Sequence, residues 1–183
     1  MCGIAGIVQF NNNEINLPEN LLSLNNSIKH RGPDDEGYFF AGDEGETITA
    51  GGDDTPANIF SSSLGFTPKV WIENIENKYS LGLAHRRLSI IDPTPAGHQP
   101  MSYADDLLWI VFNGEIYNYI ELRKELVAYG HHFITNTDTE VILAAYREWG
   151  KECLHRFNGM WAFVLYDKTK NLLFGSRDRF GVK

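Results

Sequence analysis

The run Leu107-Leu108-Trp109-Ile110-Val111-Phe112 places six apolar side chains in succession. Alternate residues of a strand point to opposite faces, so a strand here must be covered on both sides, and the rest of the chain has to supply the covering layers. Gly3 to Phe10, with Ile4, Ile7 and Val8, reads as a second buried strand. It begins almost at the first residue, where chains normally fray into solvent. Leu81 to Ala84 reads as a brief strand, and Met160 to Tyr166 and Leu172 to Ser176 as two strands joined by the polar connection Asp167-Lys168-Thr169-Lys170-Asn171. Three helices are predicted. The first spans Pro18 to Ile28, with Leu21, Leu22, Leu24 and Ile28 at helical spacing, and Arg31-Gly32-Pro33-Asp34-Asp35 ends it. The second spans Asn118 to Tyr129, with Leu122, Leu126 and Tyr129 on one face and Gly130 as its stop. The third opens on the capping-box pattern Thr137-Asp138-Thr139-Glu140 and runs to about Trp149. This mixture, with a sequential hairpin, predicts an α+β fold of antiparallel sheet covered by helices. Residues 41–80, interrupted by Gly42, Gly45, Gly51, Gly52, Pro56 and Ser61-Ser62-Ser63, read as an insertion, mostly loop. A chain of 183 residues suits one domain.

Charge and cysteine content exclude several functions. A formal net charge of −8, with no Lys/Arg run, repels nucleic-acid phosphates. No apolar segment reaches the length of a membrane span and no export signal is visible, so a cytoplasmic protein is expected. Cys2 and Cys153 cannot build a disulfide framework, and neither sits in a Cys/His pattern of metal-ligand spacing, so no metal is expected. Gly3 and Gly6 lack the Lys-Ser or Lys-Thr pair of a phosphate loop.

Chemistry points to Cys2. Removal of the initiator methionine before a small residue would make Cys2 carry both a thiol and a free α-amine. Such an amine titrates at about 7.7 to 8.0 and a thiol at about 8.5, so the amine can take the thiol proton near neutral pH. Asn113-Gly114-Glu115 follows directly on the buried strand, and a side-chain amide with a neighbouring Gly N–H can hold the oxygen of a tetrahedral intermediate; the same dipeptide also suits an ordinary turn. His85-Arg86-Arg87 brings two guanidinium groups beside an apolar run, of which one is expected to point inward and grip a carboxylate. Glu115 and Asp138 stand near element ends and can clamp an ammonium, although Asp138 also suits a helix cap. His98 is a second candidate base, ranked below the α-amine. Arg177-Asp178-Arg179 reads as an ion-pair cluster and Cys153 as a packed helical residue.

Taken together, Met1-Cys2-Gly3-Ile4-Ala5-Gly6, Arg31-Gly32-Pro33-Asp34, Ala84-His85-Arg86-Arg87-Leu88-Ser89-Ile90 and Phe112-Asn113-Gly114-Glu115-Ile116-Tyr117-Asn118 resemble the class II glutamine amidotransferase domain of the glutamine-hydrolysing asparagine synthetases. Thr137-Asp138-Thr139-Glu140-Val141-Ile142, Phe157-Asn158-Gly159-Met160-Trp161-Ala162-Phe163 and Arg177-Asp178-Arg179-Phe180-Gly181 extend the resemblance over most of the chain apart from 41–80. It implies a four-layer αββα sandwich of two antiparallel sheets, the N-terminal nucleophile hydrolase fold, as one amidotransferase domain over 1–183. It further implies Cys2 as nucleophile, Asn113 and Gly114 as oxyanion donors, and Arg87 as the anchor of the L-glutamine α-carboxylate. Glu115 and Asp138 become the α-ammonium ligands, and the backbone of Leu88, Ser89, Ile90 and Ile91 lines the pocket. His85 and Arg86 receive no role. In such enzymes the ammonia passes to a C-terminal synthetase domain that uses ATP and magnesium on a carboxylate such as aspartate; the glutaminase half needs no cofactor. The chain ends at Lys183 where relatives continue, so a piece of a longer enzyme is expected, with a homodimer possible. The stretch around Gly51-Gly52-Asp53-Asp54-Thr55-Pro56 exceeds that of plain asparagine synthetases and resembles versions tied to surface-polysaccharide synthesis. Three rival readings share parts of this pattern: the same glutaminase serving amino-sugar or purine synthesis, a silent regulatory domain, and an amidase for another amide.

Overall fold

The computed structural model describes residues 2–10, 15–89 and 92–183, and the strands among them sort into two sheets. In spatial order the first holds β1 (Gly3–Val8), β5 (Leu81–Arg87), β2 (Asp35–Ala41), β3 (Thr47–Gly51) and β4 (Val70–Trp71). All its neighbours are antiparallel except β3 and the two-residue β4. The second is the antiparallel set β6 (Met101–Tyr103), β7 (Leu108–Ile116), β8 (Gly159–Asp167) and β9 (Leu172–Arg177).

Side-chain parity builds the layers. Phe39, Leu81 and Leu83 from the first sheet meet the second sheet in one apolar core, where Phe39 stacks on Trp109 with ring centroids 4.4 Å apart. The opposite pleat of the first sheet, carrying Tyr38, Phe40 and Ala84, buries Leu17 and Leu21 of helix α1 (Leu17–Ser27). Beyond α2 (Ala57–Phe60), the outer face of the second sheet is covered by α3 (Tyr119–Ala128) and α4 (Asp138–Trp149), whose Leu122, Leu126, Val141 and Ile142 join the large core. The apolar strand is thus sealed on both sides, and the order α, β, β, α gives the expected four layers.

Several local expectations need correction. Residues 41–80 are mostly loop, as expected, but carry regular pieces that the sequence did not mark: β3 pairs with β2 from Tyr38↔Ala50 to Ala41↔Thr47, and α2 and β4 follow. Thr47-Ile48-Thr49-Ala50 is strand-forming, and the surrounding glycines hide it. The brief strand at 81–84 runs on through His85, Arg86 and Arg87. Both arginines are therefore buried, not one, because they project from opposite faces of a sheet covered on both. Asn113-Gly114-Glu115 lies inside β7, where Gly114 pairs with Trp161 across β8, and is no turn. Thr137 caps α4 by accepting from the Glu140 N–H at 3.2 Å, but Glu140 does not complete the box. Its carboxylate accepts instead from the backbone of Ile134 and Thr135. Tyr129 lies past the end of α3 and is exposed. Asp178 accepts from the N–H groups of Phe180, Val182 and Lys183. It acts as a loop clamp in place of the expected ion-pair cluster.

Candidate functional site

Cys2 stands one residue before β1, whose register sets Gly3 opposite Arg86. One step further along that register faces Cys2 across from Arg87, so both side chains enter the space between the sheets. The Leu88 N–H donates to the Cys2 sulfur at 3.4 Å, and the thiol reaches the Leu88 carbonyl at 3.7 Å. Arg31 holds the Cys2 carbonyl through Nε at 3.1 Å. Its loop packs so tightly on β5 that a Cβ on Gly32 would lie 2.4 Å from the backbone of Arg86, which accounts for the glycine in Arg31-Gly32-Pro33-Asp34. Asp34 then accepts from the Ser89 N–H at 2.8 Å.

Arg87 is buried and braced by the carbonyls of Thr94, at 3.1 Å, and Asp92. Burial pulls its pKa down, and Asp35, Asp92 and Cys2 oppose that pull, which puts the sulfur within electrostatic reach of the guanidinium. Its neighbour Arg86, itself fully buried, points the other way, to Glu36 at 2.9 Å, the partly exposed Asp54 at 2.6 Å and the Asn26 side chain. Arg86 serves the packing of α1 and takes no part in the cleft.

The second sheet contributes a strand edge. In an antiparallel ladder each residue turns its N–H and C=O to one neighbour, alternating along the strand. The Trp161 carbonyl accepts from Asp178, on the side away from β7, so its partner Gly114 turns its own peptide groups away from β8. On that side β6 has already ended, its last pair being Met101↔Ile110. Phe112 and Ile116 face the same way and are met by side chains: Gln99 accepts from the Phe112 N–H at 2.7 Å and Asp138 from the Ile116 N–H at 3.0 Å. The Gly114 N–H lies between them, facing the cleft. Asn113 projects from the other pleat, the one that carries Trp109 toward the first sheet, and is buried there.

Asp138 opens α4 and is buried beside Glu115. Burial, opposed by the Ile116 and Thr139 N–H groups and aided by the Glu115 charge, pushes its pKa up to about 6. The folded protein therefore holds this proton more tightly than the unfolded chain. The stability it contributes is present at acid pH and is lost as pH rises toward and through about 6, leaving above that a carboxylate that a bound cation would relieve.

One cleft of about 70 Å³ is lined by Cys2, Arg87, Leu88, Gly114, Glu115 and Asp138, which the sequence singles out, together with His85, Gln99 and Thr139. Asn113 and Ser89 sit next to these residues but do not line it. Ile90 and Ile91 lie outside the described residues. His98 does not line the cleft either: it is buried with Nδ1 2.8 Å from Asp35, so the second candidate base is already engaged. Gln99 carries no signal in the sequence, since it belongs to the cleft only through the edge of β7. No described helix is long and apolar enough to cross a membrane.

Comparison with known proteins bears on this geometry. The glutamine amidotransferase domain family matches residues 1–50 and 69–183. Asparagine synthetase (glutamine-hydrolysing) 1 of Bacillus subtilis is 40% identical over 187 residues, and the same organism's asparagine synthetase (glutamine-hydrolysing) 3 is 34% identical over 185 residues. Each alignment takes in 100% of this chain but only 23% and 24% of those proteins, so the chain spans about a quarter of their length. Among solved structures, a glutamine phosphoribosylpyrophosphate amidotransferase from B. subtilis, determined with ADP and GMP, superposes with a TM-score of 0.69 at 19% identity. That superposition covers 100% of this chain and 38% of the other, and it establishes the N-terminal nucleophile fold.

Proposed function

The chain belongs to the glutamine amidotransferase domain family, and from that premise we propose that it hydrolyses L-glutamine to L-glutamate and ammonia through a thioester on Cys2. The α-amine exposed by loss of Met1 takes the thiol proton, and the sulfur attacks the side-chain carboxamide carbon. Negative charge gathers on the carboxamide oxygen, which the Gly114 N–H and the Asn113 amide receive. Collapse of the intermediate expels ammonia with the proton returned by the amine, and water then cleaves the thioester. Arg87 grips the α-carboxylate, while Glu115 and Asp138 take the α-ammonium.

The observation that carries this reading is the unpaired Gly114 N–H, open to the same cleft as the Cys2 thiol, with a buried guanidinium and two carboxylates lining it. The intact protein is expected to release glutamate and ammonia from L-glutamine, to show a mass lacking Met1, and to leave glutamine blocked at its α-carboxylate untouched. Equal turnover of the blocked amide would remove Arg87 from the reading, and full activity with Met1 retained would remove the α-amine. Because the relatives are named for asparagine synthesis, we assign the ammonia to an ATP- and magnesium-dependent synthetase domain acting on aspartate, in the cytoplasm, where the free thiols Cys2 and Cys153 stay reduced.

The pH dependence follows from Asp138. Its carboxylate must be ionised to hold an ammonium, so KM for glutamine is expected to rise roughly tenfold per pH unit below about 6. Asp138→Asn keeps an acceptor for the Ile116 N–H and removes the charge. It should raise KM about 10- to 100-fold, the worth of a charge-assisted hydrogen bond, and abolish the acid limb. The same variant should melt higher than the parent in ligand-free protein at pH 8. A KM unchanged from pH 7 to 5 in the parent would take Asp138 out of the substrate site.

A further inference from the structure

Two buried side chains of the cleft, His85 and Gln99, have no part in the chemistry above, and both end on the backbone of one residue, Phe112. Had β6 continued past Met101, its backbone would have paired with Phe112. The paired stretch instead begins at Met101, so the backbone of Gln99 does not pair with Phe112. Side chains take over the ladder. The Phe112 N–H donates to Gln99 Oε1 at 2.7 Å, and His85 Nε2 lies 3.1 Å from the Phe112 carbonyl. A carbonyl only accepts, so the His85 proton sits on Nε2. Complete burial pushes the imidazole pKa down to about 3, which makes it a neutral, fixed donor at working pH and unfit as a base. Gln99 also donates through Nε2 to Thr139 Oγ1 at 3.4 Å, one residue past Asp138. His85 stands two residues before Arg87 on β5, so its hydrogen bond ties the strand of the carboxylate anchor to the strand of the oxyanion donors.

We propose that His85 and Gln99 are positioning residues for the oxyanion hole: between them they hold the two peptide groups that flank Phe112, Gln99 through the Phe112 N–H and His85 through the C=O that leads into Asn113, and so set where Asn113 and the Gly114 N–H meet the developing negative charge. This rests on the glutaminase reading and adds to it. The pair touches neither the nucleophile's proton nor the amino-acid end of the substrate. Its loss is therefore expected to act on the tetrahedral state and leave ground-state binding alone.

The test compares His85→Leu, His85→Gln and Gln99→Met in the intact protein. It reads kcat and KM for glutamine, the affinity for the aldehyde analogue of glutamine, which Cys2 converts to a tetrahedral thiohemiacetal, and the affinity for glutamate. His85→Leu and Gln99→Met should each lower kcat roughly 30- to 100-fold, as expected for donors displaced by a fraction of an ångström, and weaken the aldehyde by a similar factor. KM and glutamate affinity should stay within about threefold. His85→Gln, whose amide reaches about as far as Nε2 and donates, should recover most of the loss. Should His85→Leu not fold, Gln99→Met and His85→Gln carry the comparison. Glutamate affinity falling in step with kcat would reduce the pair to general packing and overturn the proposal, as would variants with wild-type kcat. A parent protein inert toward glutamine would instead overturn the glutaminase reading, and this inference with it.

Discussion

Cys2→Ala is expected to lower glutamine hydrolysis by at least about 10⁴-fold while leaving the melting temperature within a few degrees, since removal of a covalent nucleophile costs that much or more and the thiol contributes only two long sulfur contacts to the fold. Steady-state ammonia release and a thermal melt measure the two halves. The companion measurement is labelling by an electrophilic glutamine mimic, which should modify Cys2 alone. Cys153 is wholly buried and its thiol is pushed up to about 12, so it stays protonated and shielded. Modification of Cys153 with Cys2 unlabelled, or residual activity in Cys2→Ala near that of the parent, would show that the sulfur is not the nucleophile. A silent regulatory domain would show no hydrolysis in either protein.

Gly114→Ala should be the most damaging change that leaves every reactive group in place. A Cβ there would lie 2.2 Å from the Met160 carbonyl oxygen and 2.8 Å from Trp161 Cα, both backbone atoms of β8, so one strand must shift. The strand that moves carries Asn113 and the Gly114 N–H. The expected loss in kcat is about 10²- to 10³-fold, the usual effect of removing one oxyanion donor, with a lower melting temperature from the strained strand pair. KM should rise far less than kcat falls, because Arg87 and Asp138 sit on other elements and Glu115 alone of the proposed substrate ligands shares the strand. A Gly114→Ala protein with near-normal kcat would mean that this N–H does not meet the oxyanion.

The parts of the site that could be read from the sequence are those whose signal is local. Continuous apolarity marks β7, and Thr137 marks the start of α4 by the chemistry of helix ends. What escaped depends on partners distant in sequence. β2 begins with Asp35, Glu36 and Gly37, a poor strand signal, and becomes a buried central strand because His98 hydrogen-bonds the first carboxylate and Arg86 pairs with the second, both from elsewhere in the chain. The two inward arginines escaped because inward has two meanings in a sheet covered on both faces. Asn113-Gly114 looked like a turn because nothing in the dipeptide records that β6 stops short. Gln99 and His85 acquire meaning only at that interrupted edge.

Residues 51–68 fall outside the stretches that the family matches, yet the segment is wired into the molecule. Asp54 binds Arg86, whose guanidinium is entirely enclosed between α1 and the first sheet, and it binds Lys29 from the solvent side. A shortened chain would strand a cation with half its counter-charge gone. Any attempt to shorten this loop therefore has to exchange Arg86 in the same step, and the two positions form a single unit of design.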